Sequence, residues 1–187
     1  LNALSLFIKP SFKIVTIEDT PELKLPHIHW VPEVSRQGIV GMGGKVMGEV
    51  SMFALLKGSL RQRPDYIIVG EVRGEEAYVL FQQMASGHSG LSTIHADSIE
   101  KVVDRLTMPP INLPPMLLET LDFVVFIKHI RYKGNYVRRV MEVREIQKYD
   151  VKEKEIKTLR VFKWSPKSDK FETDVSSALL KKISLDT

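Results

Sequence analysis

Ahead of Phe123, short apolar runs bounded by turn residues alternate with stretches whose apolar residues recur at helical spacing. Lys13 to Ile17, Tyr66 to Val69 and Leu91 to Ile94 are the runs, and each reads as a strand buried on both faces. Between them, Leu1 to Ile8 has a helical pattern, and Ser51 to Arg63 repeats apolar residues at Met52, Leu55, Leu56 and Leu60 before Pro64 stops it. Gly74 to Ala85 opens on Glu75 and Glu76, which suit a helix N-terminus. Ser98 caps a pattern with Ile99, Val102, Val103 and Leu106 on one face, running to Thr107 ahead of Pro109-Pro110. Pro115 can open a further helix over Met116 to Leu121. Strands alternating with helices predict a parallel sheet.

Past Phe123 the period changes to that of strands. Phe123 to Arg131, Tyr136 to Tyr149 and Glu155 to Trp164 read as β segments, with turns at Lys133-Gly134-Asn135 and Ser165 to Asp169. A closing helix is expected over Val175 to Ile183. The expected organisation is an α/β core over residues 1–127 and a β-hairpin or meander extension with a C-terminal helix over 128–187.

Each of the three buried runs delivers polar groups at its carboxyl end. Lys13 to Ile17 is followed by Glu18 and Asp19, Tyr66 to Val69 by Gly70, Glu71 and, two residues on, Arg73, and Leu91 to Ile94 by His95. In open α/β sheets ligands sit outside the carboxyl ends of the strands. Three such endings predict one crevice with several polar groups along it. For Glu18 and Asp19 a capped turn ahead of Pro21 is the plain alternative.

Composition narrows the class. The chain has 187 residues, 43% of them hydrophobic, which is ordinary for one α/β core with an appendage. It has no cysteine, which removes disulfide frameworks and thiolate zinc sites. Leu121 to Ile130 is the most apolar stretch, but Asp122, Lys128 and His129 interrupt it well short of a membrane span. Between Lys128 and Lys170 lie 14 Lys/Arg and 6 Asp/Glu, a net of +8 against +4 for the whole chain. That basic extension, with Tyr132, Tyr136, Tyr149 and Trp164, could bind nucleic acid by phosphate contact and stacking. Its interleaved acids also fit a solvated or protein-contacting surface. His27 and His29 alternate and could chelate a metal in an extended segment, whereas His88 and His95 have a poor ligand spacing.

Four segments together resemble a known family. I-V-T-I-E-D-T-P-E is similar to the acidic Asp box of the secretion-superfamily ATPases. I-I-V-G-E-V-R resembles their Walker B strand and L-R-Q-R-P-D the segment before it, and G-H-S-G-L-S-T-I-H-A resembles their His box. These are the hexameric motors of type II and type IV secretion, type IV pili and the archaellum. The match in order and spacing runs from the N-terminus to about residue 130. The tail from Val161 to Glu172 and the lack of a tetracysteine element favour the archaeal and type IV branches.

The resemblance implies a RecA-like, mostly parallel sheet with flanking helices, and ATP and Mg as cofactors. It implies catalytic roles for Glu71, Glu18 and His95. Glu71 polarises the attacking water, directly or through the magnesium shell, Glu18 helps order water and metal, and His95 approaches the terminal phosphate. Asp19, Arg61, Arg73 and His88 are expected on the nucleotide side. Arg73 and Arg61 either bind Glu71 or contact phosphate, and His88 alternatively buttresses its turn. Arg36 is a candidate for acting across a subunit boundary. The implied partners are further copies in a hexameric ring and an inner-membrane platform protein, without nucleic acid, at the cytoplasmic face of the membrane.

One departure governs the rest. No G-x-x-x-x-G-K-[ST] phosphate loop occurs in this sequence. The glycine-rich run Gly38 to Gly48 has Val46 after Gly44-Lys45 and Ile39 where the leading glycine belongs, so it reads as a flexible loop. Leu1 to Ile8 resembles the remainder of the helix that such a loop opens. The expectation is a motor piece that begins just after its phosphate loop, without its own N-terminal domain and inactive by itself.

Overall fold

The computed structural model describes residues 1–40, 46–153, 155–174 and 176–185. The chain forms two compact units, Leu1–His95 with Arg105–Leu113, and Ala96–Asp104 with Pro114–Thr187.

The first unit is built on a parallel sheet of β1 (Ile14–Glu18), β2 (Trp30–Val34), β5 (Tyr66–Val69) and β6 (Ser89–Ser92), in the order β2-β1-β5-β6. The continuous apolar runs become the two central strands. All five residues of β1 are buried, and so are Ile67, Ile68 and Val69 of β5. The edge strand β2 was not legible in the sequence, because Pro32 and Glu33 break its apolar run. An edge is where a strand tolerates proline, which has no N–H to donate. Ile8, Ile14, Leu23, Leu25 and Ile68 form one buried cluster, with Phe12, Trp30, Tyr66 and Leu91 packed against it.

The helices follow their sequence patterns with adjusted ends. α1 covers only Asn2–Ser5 rather than reaching Ile8. Past Ser5 the backbone tightens to i→i−3 bonds, with the Phe7 N–H donating to Leu4 O at 3.1 Å and the Ile8 N–H to Ser5 O at 3.0 Å. α2 (Met52–Ser59) is capped by the Ser51 hydroxyl, which accepts from the Ala54 N–H at 3.2 Å. It passes through a 3₁₀ turn, Leu60–Gln62, and stops before Pro64. α3 (Glu76–Ala85) buries Ala77, Val79, Leu80, Phe81 and Gln83.

Two glycines make the return from α3 to the sheet. Gly87 has φ +95°, a conformation that suits glycine. At Gly90 a Cβ would lie 3.0 Å from Met84 Sδ and 3.3 Å from Leu80 Cδ1, so its bare backbone admits α3 close over β6. As a result β6 starts at Ser89, two residues ahead of the expected Leu91, and Ile94 and His95 lie beyond its end. The flanks of the glycine-rich run, β3 (Ile39–Val40) and β4 (Val46–Met47), pair antiparallel. Residues 41–45, the centre of the expected flexible loop, lie outside the described residues.

The second unit is an antiparallel sheet in the order β10-β9-β8-β7: β7 (Phe123–Tyr132), β8 (Asn135–Asp150), β9 (Glu155–Ser165) and β10 (Lys170–Thr173). Three strands match the expected runs, and β10 is additional. It folds back because Asp169 takes φ 54° and its carboxylate accepts from the Trp164 indole N–H at 2.9 Å, closing the turn. The Arg139 guanidinium lies over the rings of Tyr132 and Trp164 and pairs with Asp169 at 3.1 Å. Pro115–Thr120 is a 3₁₀ turn rather than an α-helix. α5 (Ala178–Leu185) begins later than expected, and Val175 lies outside the described residues. Ser177 caps it, accepting from the Leu180 N–H at 3.1 Å while donating to the buried Glu145 carboxylate. α4 (Ile99–Thr107) has residues in both units.

Replacing Gly87 by Ala forces an L-residue into its positive-φ turn, where nothing crowds the new methyl. The backbone alone then costs about 1–2 kcal/mol. Urea denaturation of the complete protein checks this, with a midpoint shift and an unchanged slope as the expected outcome.

Candidate functional site

The carboxyl ends of β1 and β5 and the segment after β6 meet at a cavity of about 510 Å³ within the first unit. Glu18, Asp19, Glu71, Arg73 and His95 all line it. The β1–β5 register sets Ile17 beside Val69, and the Gly70 N–H continues the ladder to Ile17 O at 2.9 Å. The residues that follow each strand are thereby neighbours. A Cβ at position 70 would stand 3.1 Å from Glu18 Cγ, so glycine is what lets β5 end flush against Glu18.

Glu71 is the centre of the charge arrangement. Its Oε2 accepts from the Arg73 guanidinium, and its Oε1 lies 3.2 Å from His95 Nε2. The hydrogen bond from Arg73 holds the carboxyl below the ordinary glutamate range. It outweighs the opposing effect of burial, and the charges of Arg73, His95 and Arg105 act in the same direction as the bond. The same contact raises Arg73 above its usual value.

The backbone around Glu71 is pinned from a residue the sequence did not single out. The Thr93 hydroxyl donates to Gly70 O at 2.6 Å, and the Val72 N–H donates to Thr93 O at 3.0 Å. The only hint was its place in the S-T-I-H run. Past Arg73, the Glu76 carboxylate accepts from the N–H groups of Arg73 and Gly74 at 2.6 and 2.7 Å, fixing the backbone that leads into α3.

Glu18 is 5% exposed, and its Oε1 accepts from the N–H groups of Glu22 and Leu23 at 3.0 and 3.1 Å. These bonds show it holding the turn after β1, the alternative weighed for it from sequence. Asn2 was not foreseen. It ties down the same loop by accepting from the Lys24 N–H at 2.9 Å and donating to Glu22 O at 3.2 Å. Asp19 Oδ1 accepts from the Ser35 hydroxyl at 2.5 Å.

Two expected residues are not brought to this cavity. Arg61 stands on the 3₁₀ turn ahead of β5, and His88 directly precedes β6. Both belong to the amino ends of parallel strands, the edge opposite Glu71. His88 Nδ1 is 3.2 Å from Ser86 Oγ, as a group buttressing its turn. Arg36 bridges to Val50, and its Nε donates to Gly48 O at 2.8 Å. His29 sits in a turn after Ile28 rather than extended beside His27, whose Nε2 lies 3.1 Å from Ile8 O. Among the described residues no group of three His, Cys, Asp or Glu side chains is placed to hold a metal ion. No helix among them is long and apolar enough to cross a membrane.

An acidic turn after β1, a Gly-Glu-x-Arg ending after β5 and a histidine past β6 are gathered on one edge of a parallel sheet, the arrangement of a RecA-like core. The chain matches the model of the type II/IV secretion system protein family over residues 1–159 and belongs to that family. It is 50% identical over 183 residues to an uncharacterized protein of Methanocaldococcus jannaschii, covering 98% of this chain and 66% of the relative. It is 35% identical over 159 residues to the type IV secretion system protein PtlH of Bordetella pertussis, covering 76% and 44%. Among solved structures it is similar to the VirB11 ATPase of the Brucella suis type IV secretion system, with TM-score 0.59 and 29% identity over 76% of this chain and 42% of that one. The pilus retraction motor PilT shares the fold at TM-score 0.51 and 24% identity, covering 68% and 37%. The chain thus spans about two thirds of the archaeal relative and less than half of PtlH and VirB11.

Because Arg73 depresses it, Glu71 is ionised throughout the neutral range. Its contribution to stability is present above the unfolded glutamate value and is lost as pH falls through the lower folded value. Arg73→Gln is expected to raise the Glu71 midpoint toward an ordinary glutamate, which a carbon-13 carboxyl NMR titration reads directly.

Proposed function

We propose that the complete protein is a hexameric ATPase motor that hydrolyses ATP to drive protein secretion or the assembly of a type IV pilus or archaellum. It works at the cytoplasmic face of the membrane against an inner-membrane platform protein, without nucleic acid. The archaeal relatives favour the archaeal branch. The observation that carries the reading is the Glu71 carboxylate, delivered by a buried central strand into a cavity it shares with Asp19, Arg73 and His95. Within the chain, residues 1–127 form the motor core and 128–187 a basic extension.

The donor set fits one side of a magnesium nucleotide. Glu71 and Asp19 offer the hard carboxylate oxygens that magnesium or its water shell prefers, the Arg73 guanidinium offers a cation for phosphate, and the His95 imidazole offers a hydrogen-bond donor. The backbone cradle of a phosphate loop is not in this sequence, so residues 1–187 alone neither hold ATP tightly nor turn it over. When bound, magnesium ATP supplies the electrophilic terminal phosphate. Glu71 orients and activates the attacking water, its carboxylate ionised for the task. Glu18 acts at one remove by fixing the loop that carries Asp19. His95 stands where it can sense the terminal phosphate and report on it through the segment after β6.

In the complete protein, Glu71→Gln preserves shape and removes the activating charge. Turnover is expected to fall on the order of a hundred-fold or more while nucleotide binding persists. Hydrolysis near the normal rate at saturating ATP and magnesium would sink the assignment.

A nucleic-acid reading is favoured by one feature, the exposed pairs His129–Arg138 and Arg131–Tyr136 on the β7–β8 hairpin. Arg139 does not belong to that surface, because its guanidinium lies over the Tyr132 and Trp164 rings and pairs with Asp169. The discriminating variant is therefore Arg131→Ala with Arg138→Ala. On the motor reading it leaves turnover unchanged, and filter binding at low salt detects no nucleic acid. Binding whose salt slope drops by about two contacts in the variant would favour the alternative.

A further inference from the structure

We infer that Arg73 and His95 hold Glu71 parked, and that an arriving phosphate anion frees it by competing for the same two side chains. This rests on the reading of Glu71 as the water-orienting carboxylate. Both Glu71 oxygens already face basic partners: Oε2 accepts from Arg73, and Oε1 lies 3.2 Å from His95 Nε2. Such contacts withdraw the electron density that a base offers to water, so the arrangement as it stands is poorly disposed to activate one.

The geometry assigns the motion to side chains. Thr93 clamps the backbone on both sides of Glu71, and Glu76 clamps the N–H groups of Arg73 and Gly74. The Glu71 side chain is 23% exposed, whereas those of Arg73 and His95 are 70% and 79% exposed. The Arg73 and His95 side chains are therefore the partners free to rotate. A phosphate carries more negative charge than a carboxylate and matches the guanidinium fork in two parallel hydrogen bonds. Asp19 and Glu76 also face Arg73, and Arg105 faces Glu71. The acidic neighbours draw Arg73 back once the anion leaves. The result is a carboxylate whose basicity rises only when a phosphate is in place, a safeguard against idle water activation.

The test is a binding cycle on the full-length protein with inorganic phosphate as the probe, read by calorimetry. If Glu71 competes with phosphate for Arg73, Glu71→Gln should bind phosphate about ten-fold more tightly than the parent. In an Arg73→Gln background the same change should gain less than about two-fold, because the contested cation is gone. Equal gains in the two backgrounds, or none in either, overturn the proposal, since a mere relief of long-range repulsion does not depend on Arg73. Should Arg73→Gln misfold, Arg73→Met replaces it under the same criterion, removing the charge while keeping a long side chain. The cycle needs no turnover. A protein without ATPase activity that shows the coupling therefore supports the clamp while removing the motor reading.

Discussion

The parallel register of β1 against β5 is the constraint on which the site depends. Pairing Ile14 with Tyr66 and Ile17 with Val69 puts the buried ends of two central strands side by side, so that Glu18 and Gly70 emerge as neighbours. Shifting one strand by a single residue would turn its side chains to the opposite faces of the sheet. Adjacent groups would then be separated: the acidic turn that bears Asp19, and the Glu71 that follows Gly70. Burying both faces of β1 and β5 resists that slip, and the core thereby sets the geometry of the charged rim.

The rim is mostly occupied in holding itself together. Glu18 is committed to two backbone N–H groups, Asp19 to Ser35, and Glu76 to two more N–H groups at the start of α3. Glu71 and Asp19 differ because their partners are side chains, Arg73 and His95 for the one and the Ser35 hydroxyl for the other. Backbone-bound carboxylates are fixed in place, whereas a carboxylate bound to exposed side chains can change partners. This separates Glu18 and Glu76, which are scaffold, from the two acids suited to chemistry.

The second unit obeys other rules. Its basic charge suggested a surface for anions, but part of that charge is spent internally. Arg139 is stacked on two aromatic rings and paired with Asp169, and Arg144 bonds Glu142 and Thr158. A count of charges along the chain cannot separate a guanidinium that faces solvent from one folded onto a ring.

Hydrophobic pattern and turn chemistry by themselves determined the two central strands, the courses of α2, α3 and α4, and the long antiparallel strands. In those segments burial on one or both faces is written directly into residue order. The polar endings after β1 and β5 were legible for the same reason, since a buried run must stop where polarity returns. Tertiary structure alone decided the rest. The edge strand β2 carries Pro32 and Glu33 because an edge tolerates them, which conceals it from periodicity. The start of β6 follows the positive-φ turn at Gly87 and the approach of α3 over Gly90, the latter a contact between segments that no local pattern encodes. Thr93 and Asn2 acquired their tasks, and Arg61 and His88 their distance from the cavity, only when parallel strands sorted amino ends from carboxyl ends. Direction along a strand is a property of the chain, but which ends share an edge is a property of the sheet.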